Sequence, residues 1–282
     1  MPSKKLDARR QKLKDDFTHN RGYWSEIWDG VLDLSPEYFS AYSDLSSVPW
    51  KHGTLAPKIK EFIYIAIDAA TTHLYNPGTR IHIANALRHG ASREEIMEVL
   101  MIASVLGIHT ITDSVPILID VLKAAGKDPK VGEKKLNAKQ QALKDEFTKN
   151  RGYWAPLFDG VLHFSPEFFK AYTDLSSVPW KHGTLEPKVK ELLYVAIDAS
   201  TTHLYNAGTK LHMANAVRHG ATAAEIMEVL MLTASIGVHT ITESVPILIE
   251  EAKKAAAPKR AAATRIAVPR KTRAGTRGGA KT

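Results

Sequence analysis

The stretch LKDDFTHNRGYW from Leu13 returns as LKDEFTKNRGYW from Leu143, and THLYNPGTRIHIANALRHGA from Thr72 returns as THLYNAGTKLHMANAVRHGA from Thr202. AYSDLSSVPWKHGTL from Ala41 and HTITDSVPILI from His109 recur in the same way, from Ala171 and His239, all at one offset and without a gap. A unit of this size is a domain rather than a solenoid repeat, so the chain must fold as two copies of one design. The expected organisation is a first unit over 1–125, a second over 126–252 and a tail over 253–282. Two like units in one chain can bury the same face against each other, giving a pseudo-symmetric pair. A recent duplication also preserves residues that do nothing, so repetition alone makes no residue functional.

Each unit reads as helical, and the fold class is all-α. Ser35 before Pro36 is a cap followed by a proline at the first helical position. APKIKEFIYIAIDAATTHLY is apolar on nearly every side, as a buried central helix would be. Asn76 with Pro77 should open a third helix that ends near His89 and Gly90. Ser92 with Glu95, and Thr222 with Glu225, have the spacing of capping boxes. A last helix carries Pro116, placed in its first turn. No alternating strand pattern with hairpin turns is present.

Composition excludes several chemistries. The 282 residues include no cysteine, which removes disulfides, thiolate ligands and thiol catalysis. The 44% hydrophobic and 24% charged content is that of a soluble globular protein. No run reaches the roughly 18 consecutive apolar residues of a membrane span, and the N-terminus has no apolar stretch of a secretory signal. No membrane partner and a cytoplasmic location are expected. The net charge of +8 is concentrated at one end: Lys253 to Thr282 hold ten Lys or Arg and no acid. That tail buries too little apolar surface to offset its ordering, so disorder is expected beyond its first few residues, with nucleic acid or another polyanion binding only there. The body has no basic stripe.

The polar residues within the apolar helices are the candidates for chemistry. Glu61 and Asp68 (Glu191 and Asp198) lie seven residues apart, hence on one face and roughly 10 Å apart along the axis. A buried carboxylate needs a partner. Glu61, placed in the first turn, can serve Lys58 or Lys60 or a site. His82 stands mid-helix between Ile81 and Ile83 (His212 between Leu211 and Met213), with Asn85 and His89 on its stripe, and an imidazole, whose ordinary pKa is near neutrality, suits proton transfer. His89 is more simply a helix-end residue. His52 (His182), on a loop beside Trp50, can line a pocket or close a turn. Ten of the twelve histidines form five repeated pairs, so a metal site built from His73, His82, His109 and Glu61 is open if folding gathers them. No H-E-x-x-H spacing supports it.

Lys60-Glu61 opening an apolar helix, the helical His82, the link RHGAS and the acids Glu94-Glu95 (Lys190-Glu191, His212, RHGAT, Glu225) resemble the pattern of the carboxymuconolactone decarboxylase family, which includes the AhpD-like alkylhydroperoxidases. The likeness covers most of each unit. Peroxidase members carry C-x-x-C before the helical histidine. Here those slots hold Tyr75 and Gly78 counted back from His82, and the first holds His73 counted forward from Glu61. The resemblance therefore implies acid–base chemistry without a thiol: a cofactor-independent lyase acting on a small carboxylated lactone or oxo acid. By that resemblance His82 and His212 would donate the proton, and Glu61 and Glu191 would orient them. Arg80, Arg88 and Arg218 would hold a substrate carboxylate, while His52, His73, Tyr75, His182, His203 and Tyr205 would shape the pocket. It further implies sites near the pair interface and a homotrimer of duplicated chains. A metal-dependent enzyme, or a non-catalytic module with a polyanion-binding tail, are the alternatives.

Overall fold

In a computed structural model that describes residues 6–133 and 135–256, the chain is helical throughout, with no strand among the described residues. The first half runs α1 (Ala8–Arg21), α2 (Asp29–Leu34), α3 (Pro36–His52), α4 (Pro57–Ala69), α5 (Asn76–Arg88), α6 (Arg93–Ser104) and α7 (Ile108–Ala124). The second half repeats it as α8 (Ala138–Arg151), α9 (Asp159–Phe164), α10 (Pro166–Ser176) with the short α11 (Val178–His182), α12 (Pro187–Ala199), α13 (Asn206–Arg218), α14 (Ala223–Ala234) and α15 (His239–Ala256). The helix α15 carries ordered chain to Ala256, past the Lys253 boundary expected for the tail. The rest of that tail lies outside the described residues.

The local signals act where they were read. The Ser35 hydroxyl accepts from the Tyr38 amide, and both capping boxes form, Ser92 with Glu95 and Thr222 with Glu225. Three expectations change. Pro116 is the ninth residue of α7 rather than a first-turn residue, because the helix already begins at Ile108. An interior proline removes one backbone bond, which the flanking apolar turns tolerate. Asn76 makes no capping bond, and Tyr75 occupies the cap position instead. Glu61 is the fifth residue of α4, beyond the first turn, so a side-chain partner rather than the helix end must satisfy it.

The core is shared between the halves. Phe62, Ile63, Ile65, Ala66 and Ile67 of α4 are fully buried, and α4 packs directly on α12, whose Leu192, Leu193, Val195 and Ile197 are equally buried. Burial of each large apolar side chain contributes about 1.5–3 kcal/mol, which is why both central helices are apolar on all sides. The closing helices are exchanged. α15 packs on α2 of the first half and α7 on α9 of the second. Accordingly Val238, just before α15, completes the cluster of Phe17, Trp28, Val31, Leu32 and Phe39, and Ile108 completes that of Phe147, Phe158, Val161, Leu162 and Phe169.

Buried ion pairs cross the same boundary. Glu228 of α14 accepts from the Thr54 and Leu55 amides at 2.7 and 3.0 Å and meets Lys60 at 2.8 Å. Glu98 of α6 does the same for Thr184, Leu185 and Lys190. A β-carbon on Gly53 would lie 2.1 Å from the Glu228 carboxylate, so this position requires glycine.

The rods Arg93–Ala124 and Ala223–Ala255 are long and apolar enough to span a membrane, with mean hydropathies of 1.6 and 1.3 over their best windows. No consecutive apolar run achieves this; the average does, across interruptions such as Ser104, His109 and Thr112. A third of each window is buried inside the fold, and His109 and Thr112 face the second half's site, so these helices already serve as internal packing elements.

Candidate functional site

The site is built where α4 ends and α5 begins. α4 stops at Ala69, and the chain turns through Leu74, whose φ of +53° places a branched residue in the left-handed region. Such a residue costs about 1–3 kcal/mol, and Leu204 repeats it in the second half. The turn is held by the Tyr75 amide donating to the Asp68 carbonyl at 2.8 Å. Pro77 then sets the first turn of α5. Gly78 follows because a β-carbon there would lie 2.1 Å from Asp68 Oδ2. α5 is thereby laid against α4 with His82 facing Glu61.

His82 Nδ1 meets Glu61 Oε2 at 2.6 Å, and Asn85 Nδ2 donates to the other Glu61 oxygen at 3.3 Å. Both residues are buried, so each oxygen of the carboxylate has one partner away from water. The imidazole stacks on Tyr64 with ring centroids 4.4 Å apart. Its free edge, Nε2, points toward Asp68 Oδ2 at 3.9 Å. The second half matches it: His212 to Glu191 at 2.6 Å, Asn215 to Glu191 at 3.4 Å, Tyr194 at 4.5 Å, and Asp198 at 4.0 Å.

Each histidine lines a narrow cavity walled by both halves. The first, with about 30 Å³ of free space, has Arg21, Tyr64, Tyr75 and His82 from the first half, with His239 and Thr242 from α15. The second, of the same size at about 30 Å³, has Arg151, Tyr194, Tyr205 and His212, with His109 and Thr112 from α7. Tyr75 bonds Thr242 at 2.8 Å and stacks on His239, with centroids 3.8 Å apart; Tyr205 bonds Thr112 at 2.8 Å and stacks on His109 at 3.9 Å. His73 Nε2 meets His239 Nδ1 at 2.7 Å, and His203 Nε2 meets His109 Nδ1 at 2.6 Å. Burial, with the facing imidazoles, pushes His109 and His239 down to about 3, and burial lowers His73 and His203 too. Asp68 and Asp198 go the other way, up to about 8 and about 7: burial is the main cause, and the Glu61 and Glu191 charges add to it.

The expected site residues divide accordingly. Glu61, His82 and Tyr75 come together, as do Glu191, His212 and Tyr205, while His73 and His203 join through a histidine of the opposite half. The cluster of His73 with His82, His109 and Glu61 does not form, since His109 crosses to His203. His52 and His182 are exposed in the last turns of α3 and α11, not on a loop, and neither is on the wall of these cavities; His182 borders an open groove along α6. Arg80 is exposed on the outer face of α5. Arg88 and Arg218 bond Asn85 and Asn215, behind the histidines rather than in the cavities.

The cations that do face the cavities are Arg21 and Arg151. Arg21 ends α1 fully enclosed, donating to the Ser46 carbonyl and the Tyr64 hydroxyl at 3.2 and 3.4 Å, with Trp50 beneath its guanidinium at 4.9 Å. No acid is paired with it among the described residues, and its Nε has no partner. Its signal in the sequence was slight: NRGYW is repeated intact, but it ends a helix that reads as charged and solvated.

The family model for carboxymuconolactone decarboxylases matches residues 36–118 and again 166–248, which together make more than half of the chain. This chain belongs to the carboxymuconolactone decarboxylase family. Both matches contain the Glu–His pair of their half. A solved structure of a proposed gamma-carboxymuconolactone decarboxylase subunit from Burkholderia xenovorans LB400 is 42% identical, with a TM-score of 0.84 over 89% of this chain and all of that one. No curated protein matches the chain. The full-length overlap places the duplication in that relative's fold as well, so the two-unit arrangement extends beyond this one carboxymuconolactone decarboxylase-family member.

Proposed function

We propose that this protein is a lyase of the decarboxylase type, acting on a small carboxylated lactone or related oxo acid. The observation that carries the reading is the His82–Glu61 pair at 2.6 Å on a cavity wall that also presents Arg21, a buried cation with no acid of its own. Arg21 suits a substrate carboxylate, since a guanidinium binds such a group strongly through paired donors. Breaking the bond to the departing carboxylate releases CO2 and leaves its electron pair on carbon as an enolate-like carbanion. His82, with Nδ1–H donating to Glu61, presents Nε2 to the cavity. In its imidazolium form it supplies the proton that quenches the carbanion, and solvent then restores it. Glu61 holds the ring and balances its charge, and Asn85 holds Glu61. His212, Glu191 and Arg151 repeat the arrangement.

The same reading takes the working assembly as a homotrimer. Ile117 and Val121 of α7, and Ile247 and Leu248 of α15, are 58–63% exposed on the outer faces of the exchanged helices. Apolar ridges of that kind fit contact with further copies.

The test is CO2 release from gamma-carboxymuconolactone and from a panel of carboxylated lactones and oxo acids. Glutamine at His82 and His212 keeps volume and a hydrogen bond but abolishes proton transfer. Each single variant should lose part of the activity and the double variant about 10²–10⁴-fold. A fully active double variant, or no release from any member of the panel, would overturn the reading.

A further inference from the structure

Asp68 is the least explained residue in the fold. It is fully buried, and neither carboxylate oxygen has a hydrogen-bond partner; the same is true of Asp198. Burying a carboxylate without a partner is costly enough that proteins neutralise it with a proton or a cation. Around it stand two imidazole nitrogens from opposite halves. His239 Nδ1 lies 3.8 Å from Asp68 Oδ1 and 2.7 Å from His73 Nε2, and one donor atom from each of the three residues falls within 4.8 Å of the others. His109, Asp198 and His203 form the same group in the second half, with His109 Nδ1 3.7 Å from Asp198 Oδ1.

We propose that Asp68, His73 and His239 bind one divalent transition-metal ion and that Asp198, His203 and His109 bind a second. Two imidazoles and a carboxylate are a donor set for Zn²⁺, Fe²⁺, Mn²⁺ and their neighbours. Ca²⁺ and Mg²⁺ favour oxygen donors, and no thiolate is present to select softer ions. With metal–nitrogen bonds of about 2.0–2.1 Å in tetrahedral geometry, the two nitrogens would stand roughly 3.3 Å apart. The facing rings need to part only slightly, and both are only partly buried. Three protein ligands leave a further position for water or substrate, the arrangement of a catalytic rather than a closed structural site. His82 Nε2 stands beside the ligands, 3.9 Å from Asp68 Oδ2. Asp68 and His73 come from the first half and His239 from the second, so each ion would also join the halves. The inference concerns binding and holds whatever reaction the site performs.

The experiment uses the full chain, stripped with chelator and titrated with Zn²⁺ alone by calorimetry, with metal content measured after gel filtration. About two ions per chain should remain, at micromolar affinity or tighter, and the thermal midpoint should rise on loading. His73→Gln and His239→Gln, from opposite halves, should each remove one ion. Combining either with His203→Gln should remove both, while the surface pair His52→Gln/His182→Gln keeps two. Circular dichroism checks that each variant is folded. Less than half an ion per unmutated chain would overturn the proposal without recourse to any variant, leaving a hydrogen-bonded histidine pair beside a protonated Asp68. Full loading of folded His73→Gln/His203→Gln would overturn it equally.

Discussion

Replacing Glu228 by alanine removes the acid that clamps α14 of the second half onto the α3–α4 loop of the first. Its carboxylate accepts two backbone amides, at 2.7 and 3.0 Å, and meets the Lys60 ammonium at 2.8 Å, all out of contact with water. Lys60 keeps the Pro49 carbonyl, at 2.6 Å, and the face of Trp50, at 5.4 Å. Stranding a buried charge costs about 3–5 kcal/mol, and each orphaned amide about 1–3 kcal/mol. Water entering the vacated space recovers part of this, so about 4–6 kcal/mol is expected for Glu228→Ala. Glu228→Gln keeps an acceptor for the amides and should cost about 2–4 kcal/mol, the share owed to Lys60. Lys60→Met in the Glu228→Gln background takes away the stranded charge, so the double variant should be more stable than the two single losses add up to. Urea unfolding of all four proteins closes the cycle, and coupling of about 1–3 kcal/mol is expected. Additivity within about 0.5 kcal/mol, or a Glu228→Ala loss below about 1 kcal/mol, would refute the clamp.

Glu95 gives a pH prediction. Partial burial works to raise its carboxyl, but the Lys58 ammonium and the Ser92 amide outweigh that and hold it below its ordinary 4.5. A depressed acid stabilises the fold above its unfolded value and loses that contribution as pH falls through the folded one. Glu95→Gln, which preserves the capping box, should therefore be less stable than the parent at neutrality, with the difference closing as pH falls below about 4.5, which flattens the acid limb. Unchanged acid-limb curvature in denaturation at stepped pH would contradict this. Ile117→Lys with Ile247→Lys should shift the light-scattering mass from three chains toward one if the outer faces of α7 and α15 make the trimer, and an unchanged mass would place the contact elsewhere. Alkyl hydroperoxide should not turn over with metal-free protein, since no cysteine exists in the chain; reproducible turnover would reopen that chemistry.

What the sequence reveals is what neighbouring residues decide. The duplication, the all-helical class, the buried central helix and the capping boxes depend on short spacings, and Glu61 and His82 stand out because polar groups interrupt apolar helices. Arg21 does not, because its burial is imposed by Trp50 and Tyr64 from distant helices, while its own helix is rich in charge. His52 misleads for the opposite reason: its neighbours Pro49 and Trp50 turn inward, while it stays with Lys51 on the outside of the helix end. Nor can two near-identical halves announce which copy of a segment closes which core. HTITDSVPILI and HTITESVPILI are almost interchangeable, and only the folded chain shows each crossing to the other half. For that reason the sequence groups His109 with His73, whereas the fold pairs it with His203.

That crossing gives the gene an unusual accounting of damage. Substitutions at His82 and His239 lie in different repeats, yet they fall on one chamber and leave its twin intact. Substitutions at His82 and His109 lie in the same repeat and injure both chambers. Inheritance acts on repeats while chemistry acts on chambers, so neither copy is free to decay as a spare. A lesion that disables α7 strips a wall from the second unit's chamber, and the second unit returns the dependence through α15.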